Sequence, residues 1–114
     1  VNRSNPLTLN WTGGNANDLV EIIGSSSTQT GSGTSAVTTS TEFICVTTAG
    51  KQTFTVPTPI LTQLPASTAN NPGILEVASG NAGNPFTASL PKLGGSTTGT
   101  FSSFVGTGAQ VTWQ

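Results

Sequence analysis

Histidine, tyrosine and methionine are missing from this chain of 114 residues, cysteine occurs once, and only seven residues are charged. Each shortage removes a class of function. Without histidine, no Ser-His-Asp or Cys-His arrangement can form and the commonest metal ligand is gone. A lone Cys45 excludes an intrachain disulfide. Its setting, Phe43-Ile44-Cys45-Val46, is a buried-strand pattern in which a free thiol acts as a small core hydrophobe. Arg3, Lys51 and Lys92 are scattered among Asp18, Glu21, Glu42 and Glu76 for a net charge of −1, so no basic groove is available to neutralise phosphates and nucleic acid is not expected as a partner. No apolar stretch approaches the roughly 20 residues needed to cross a bilayer, which predicts no membrane span. The opening Val1-Asn2-Arg3-Ser4 lacks both an initiator methionine and the apolar region of a signal peptide, as expected of a processed chain or a piece of a longer one.

What is present is hydroxyl and apolar. Serine and threonine supply 34 of the 114 residues, with Leu, Ile, Val, Phe and Trp recurring between them at short intervals. That recurrence distinguishes a folding chain from a disordered one, and the length fits one domain with its own core. Leu7-Thr8-Leu9-Asn10-Trp11-Thr12 alternates strictly, placing Leu7, Leu9 and Trp11 on an inward face with Thr8 and Asn10 outward. Gly13 to Asp18 supplies turn residues, and the next strand, Leu19 to Ile23, points Val20 and Ile22 inward and Glu21 outward. Gly24 to Thr41 is almost all Ser, Thr and Gly and predicts a long exposed loop or a weak edge strand.

The pattern resumes at Glu42 to Thr48 with Phe43 and Cys45, turns at Ala49-Gly50-Lys51, and continues through Gln52 to Val56 with Phe54 and Val56 inward. Prolines bracket the one segment without a period of two, Pro57 to Pro65, predicting a helical turn near residues 59–64 that seats Ile60, Leu61 and Leu64 on the end of the core. Further strands are expected at Ile74 to Ser79, with Leu75 and Val77 inward, and at Pro85 to Leu90, with Phe86 inward; a turn over Gly80 to Asn84 separates them. After a turn region at Lys92 to Thr98, Thr100 to Val105 and Ala109 to Trp113 close the chain, with Val111 and Trp113 in the core. About eight short strands, one helical turn and no internal repeat predict an antiparallel immunoglobulin-like β-sandwich over residues 7–114. Residues 1–6 read as a tail or linker that could lend a strand to a neighbour's edge.

Few constellations could carry chemistry. Asp18, Glu21, Glu42 and Glu76 are the only acids for a paired-carboxylate mechanism, yet they fall at outward or turn positions without accompanying cleft aromatics. Asn15, Asn17, Asp18 and Glu21 offer oxygen donors around Gly14, but the spacing is not that of an EF-hand loop, and Asn and Asp are ordinary turn residues. Lys51 and Lys92 lie beside turn glycines, where an ammonium is solvated and unsuited to a buried isopeptide cross-link. Thr28/Thr30 and Thr53/Thr55 lack the repeats of an ice-binding ladder. Asn2-Arg3-Ser4 and Asn10-Trp11-Thr12 match the N-glycosylation acceptor pattern. No catalytic residue, cofactor or metal is assigned.

Trp11-Thr12-Gly13-Gly14 with Asn17-Asp18, then Phe43-Ile44-Cys45, Ala49-Gly50, Phe54-Thr55-Val56-Pro57 and Leu61 to Pro65, resembles small β-sandwich modules in secreted proteins of environmental bacteria such as acidobacteria. The likeness runs from Leu7 to Trp113 and rests on structural motifs. It implies a sandwich in an extracytoplasmic setting and transfers no site. With so little charge to guard strand edges, the expected role is a non-catalytic extracellular module or subunit of a cell-surface filament, sheath, matrix or stalk, joined to itself or to neighbouring modules through β-edges and Thr/Ser-rich faces. A carbohydrate- or surface-binding module is the alternative, and a viral or phage shell or decoration domain a further one.

Overall fold

A computed structural model describes residues 1–90 and 94–114. Alternating sequence becomes strand throughout: β1 (Leu7–Asn10), β2 (Leu19–Thr30), β3 (Val37–Thr48), β4 (Thr53–Val56), β5 (Gly73–Leu90) and β6 (Gly95–Val111). The proline-bracketed segment forms the short helix α1 (Thr58–Leu61), starting at the N-cap Pro57 with a second proline in its first turn. The architecture is all-β and antiparallel. One curled sheet has the order β3-β2-β5-β6, and a small second sheet pairs β1 with β4.

Register shows how the core assembles. Ile22 lies opposite both Cys45 and Val77, and Gly24 opposite Phe43 and Leu75, so these residues share the inner face of the large sheet. Leu7 and Leu9 of β1 pair with Val56 and Phe54 of β4 and bring their own inward face to it. Between the two sheets are buried Val20, Ile22, Ala49, Val56, Leu61, Leu64 and Trp113; Leu7, Leu9, Trp11, Phe43, Cys45, Phe54, Leu75, Val77 and Val111 pack around them, half-buried. Leu61 and Leu64 come from the helical turn, which plugs one end.

Trp113 is the hub. It is fully buried, its indole N–H donates to the Ser25 carbonyl at 2.8 Å, its backbone N–H donates to Ser67 Oγ at 2.8 Å, and its ring meets Phe43 edge-on at 6.4 Å. Two glycines make room for this cluster. A Cβ on Gly73 would fall 2.1 Å from the Trp113 indole nitrogen, and one on Gly24 would fall 2.3 Å from the Phe43 ring.

Several expectations are corrected. Among the described residues there are six strands, because β5 runs through the break expected at Gly80 to Asn84 and β6 through the one expected between Val105 and Ala109. Of the two readings for Gly24 to Thr41, the edge strand holds and the long loop does not: β3 lies at the sheet's edge, and β2 and β3 stay paired from Leu19↔Thr48 to Thr30↔Val37, with only residues 31–36 left to connect them. Backbone hydrogen bonds need no apolar side chain, so a hydroxyl-rich hairpin can persist where little area is buried. The turn expected at Gly80 to Asn84 is a β-bulge between Asn81 and Asn84, and β5 runs on through it to Leu90. Likewise β6 is continuous from Gly95 to Val111, so the turn expected over Lys92–Thr98 has become strand from Gly95 onward; Lys92 itself lies outside the described residues. Phe86, expected in the core, is exposed. In the N-terminal segment, Val1 and Arg3 exchange backbone hydrogen bonds with Thr112 and Gln114, and the Arg3 guanidinium donates to the Leu64 carbonyl.

The long strands give an extended outline. The radius of gyration is 18.6 Å, against about 13 Å for a compact domain of this length. The excess comes from hairpin arms at opposite ends of the large sheet. β2 pairs with β5 only from Leu19↔Gly80 to Ser25↔Ile74. Beyond Ser25, β2 and β3 continue as a two-stranded ribbon, and beyond Gly80, β5 and β6 do the same in the other direction.

Candidate functional site

The β5–β6 ribbon leaves apolar surface uncovered on its inner face, as Ile44, Val46 and Ile74 do on the outer face of the large sheet. Through the register Leu75↔Ala109, Val77↔Thr107 and Ser79↔Val105, the odd-numbered residues of β6 share the inner face that carries the core. Cover along that face is lost step by step: Val111 is half-buried, Ala109 and Thr107 are exposed, and Val105 reaches 82% exposure. The bulge then resets β5, placing Phe86 opposite Gly99 and Asn84 opposite Phe101, so Phe86 (53% exposed) and Phe101 (74%) extend the same face onto the arm. Phe86 lies over Gly99, where a Cβ would come within 2.8 Å of the ring. The two-stranded β1–β4 sheet is too narrow to reach this far. Between the Trp11–Gly14 segment that follows β1 and the inner face of β2, β5 and β6 lies a groove of about 380 Å³, lined among others by Trp11, Gly14, Val20, Val77, Val105 and Thr107.

The edge of this region is as bare as its face. Among the described residues β6 ends the sheet order with β5 as its one strand neighbour, and Gly95–Val111 contains no proline and no charged residue. Lysine, proline and charge are the usual guards of a long edge strand. The Trp11 floor of the groove is firmly set, its indole N–H donating to the Ala49 carbonyl at 3.0 Å.

The residues weighed for chemistry are dispersed or occupied. Glu21 lies opposite Ala78 and Glu76 opposite Ile23, which makes the two acids diagonal neighbours on the outer face of the large sheet, with Glu42 on the same face opposite Ser25. This is open sheet surface, away from the groove. Asp18 accepts from the backbone N–H and side-chain amide of Asn15, both at 3.1 Å, which makes it a turn residue; Asn17 is exposed beside it. Among the described residues no group of three or more His, Cys, Asp or Glu side chains comes together. Lys51 is exposed. Asn2 and Asn10 are exposed; Asn2 Oδ1 accepts from the Ser4 backbone N–H at 2.8 Å, and Asn10 stands opposite Thr53 at the end of β1. The hydroxyls of Thr8 and Thr55 bond across the small sheet at 2.9 Å. Burial pushes the Cys45 thiol above its ordinary pKa, which holds it in the unreactive protonated form.

Nothing in the alternation of β6 marks Phe101, Phe104 and Val105 as surface residues. Their signal is the uncharged, proline-free run from Gly95 to Val111, which becomes telling only when it is known to lie at an edge. Among the described residues no helix is long and apolar enough to cross a membrane. The chain matches no protein-family model, no curated protein and no solved structure.

Proposed function

We propose that this chain is a non-catalytic extracellular structural module or subunit that builds a cell-surface filament, sheath, matrix or stalk by joining copies of itself or neighbouring modules through β-edges. We read its two sheets as an immunoglobulin-like sandwich left open on one side, in line with the resemblance to secreted bacterial modules. One observation carries the reading: from the pair Ser79↔Val105 outward the β5–β6 ribbon carries no charge and exposes Phe86, Phe101 and Val105 on one face. Monomers rarely display contiguous apolar surface without a partner to cover it. With a net charge of −1, colloidal repulsion does little to keep copies apart.

The carbohydrate-binding alternative draws on the same phenylalanines as stacking platforms. It is weakened by Trp113, which is buried and offers no face to a ligand. Sedimentation velocity from micromolar to millimolar protein, with electron microscopy of the concentrated sample, tests the proposal. Concentration-dependent assembly into ordered particles or polymers is expected. A monomer throughout that range, with saturable binding to a glycan, would overturn it.

A further inference from the structure

We propose that the β6 edge pairs with the β6 edge of a second copy, antiparallel about a two-fold axis through Ser103, to make one continuous eight-stranded sheet. The inference rests on the assembly reading above and specifies its contact. At the C-terminal end of this edge Ser67 already bonds the Val111 carbonyl, so the stretch offered to a partner is Ser96–Gln110. Its midpoint is Ser103. A two-fold axis perpendicular to the sheet keeps inner faces together, and directly opposed residues of antiparallel strands share a face. Residue pairs must therefore sum to an even number, and centring on Ser103 uses the whole stretch.

That register is self-complementary in side-chain volume. It sets Phe101 against the second copy's Val105 and Val105 against its Phe101, covering two of the most exposed large hydrophobic residues of the molecule with each other. The three glycines of the stretch, Gly99, Gly106 and Gly108, each face a threonine, at Thr107, Thr100 and Thr98 of the second copy. Moving the centre to Ser102 or Phe104 sets Phe101 against Ser103 or Thr107 and loses the apolar pair. In the Ser103 register the second copy's Phe101 also stands at the mouth of the Trp11 groove, since Val105 lines it. No charge lies on this stretch to oppose the approach. Fifteen paired residues span about 50 Å, and with a sheet thickness of about 10 Å the contact covers on the order of 1,000 Å² over both copies, the lower bound for a specific interface. A second copy is thus sufficient to occupy the edge.

The test is cross-linking in a Cys45→Ser background. Ser103→Cys brings two thiols face to face across the axis, at a Cα separation of roughly 5 Å that a disulfide accepts. Thr107→Cys, four residues from the axis, leaves its two thiols roughly 26 Å apart. Mild oxidation is expected to give covalent dimer from Ser103→Cys at least about tenfold faster than from Thr107→Cys. Val105→Lys, which buries a charge in the pair, is expected to weaken dimerisation by about tenfold or more in sedimentation with an unchanged melting curve. If copies assemble but the two cysteines cross-link at equal rates and Val105→Lys has no effect, this pairing is wrong while assembly stands. If the wild-type chain sediments as a monomer up to millimolar concentration, both fall.

Discussion

The two halves of the β5–β6 hairpin obey the same alternation and meet opposite fates. In the root, Gly73 to Gly80 lies between β2 and β6, and its inner face meets Ile22, Phe43 and Trp113. In the arm, beyond the bulge at Asn81, the alternation continues, yet no third strand and no second sheet follow it, and Phe86 and Phe101 stay in solvent. A period of two fixes which face a side chain takes. Whether that face is covered depends on the length of other elements, here on β1 and β4 being only four residues each. Along β5 the root is core and the arm surface, written in the same pattern.

Truncations in the root should cost far more than truncations in the arm. The largest effect is expected from Trp113→Ala, which removes a fully buried ring together with its bond to the Ser25 carbonyl and its edge contact with Phe43. A loss of about 3–5 kcal/mol is expected, enough to unfold much of a marginally stable domain, and urea denaturation reads it directly. Gly73→Ala comes next. Its Cβ would fall 2.1 Å from the Trp113 indole nitrogen and 2.4 Å from the Ser25 backbone oxygen, so either the hub or the strand must move. About 1–3 kcal/mol of destabilisation is expected, as for an overpacked core. If either variant melts like the wild type, the root is not the core described here.

Much of the root was legible in the sequence because burial and alternation coincide there. The parity of Leu7, Leu9, Val20, Ile22, Phe54 and Val56 gives the inward faces, and the prolines at 57, 59 and 65 mark the helical turn that buries Leu61 and Leu64. The arms were not legible. From Ser25 to Thr41 the chain holds strand geometry by backbone pairing with hardly an apolar side chain to signal it, and Gly80 to Asn84 has turn composition but is absorbed as a bulge. Phe86 shows the limit most plainly, since its flanking pattern matches that of Phe54 and only the surrounding fold separates them. As for the candidate surface, the shortage of charge was visible from the start. That the shortage falls on an edge strand follows from the sheet order alone.

Phe86→Ser and Phe101→Ser sharpen the comparison from the other side. Each removes as many ring atoms as a core Phe truncation would, but from solvent, so stability should change by no more than about 0.5 kcal/mol in dilute solution. A loss near that of Trp113→Ala would show that the arm folds back onto something in solution.

The smallest effect is expected at Cys45, on the rim of the packed region, and it is a matter of pH. Burial raises the thiol pKa in the folded chain, so at alkaline pH the unfolded chain gives up its proton first. Folding stability contributed by the protonated thiol is therefore fully present below the unfolded-state pKa, about 8.5, and declines as pH rises above it. Comparing urea midpoints at pH 7.5 and 9.5 for the wild type and Cys45→Ala isolates the thiol, since every other group cancels between the two proteins. The wild type should lose slightly more stability over that interval. An equal loss in both would place Cys45 in water, and the inner face of β3 would then be as uncovered as the arm.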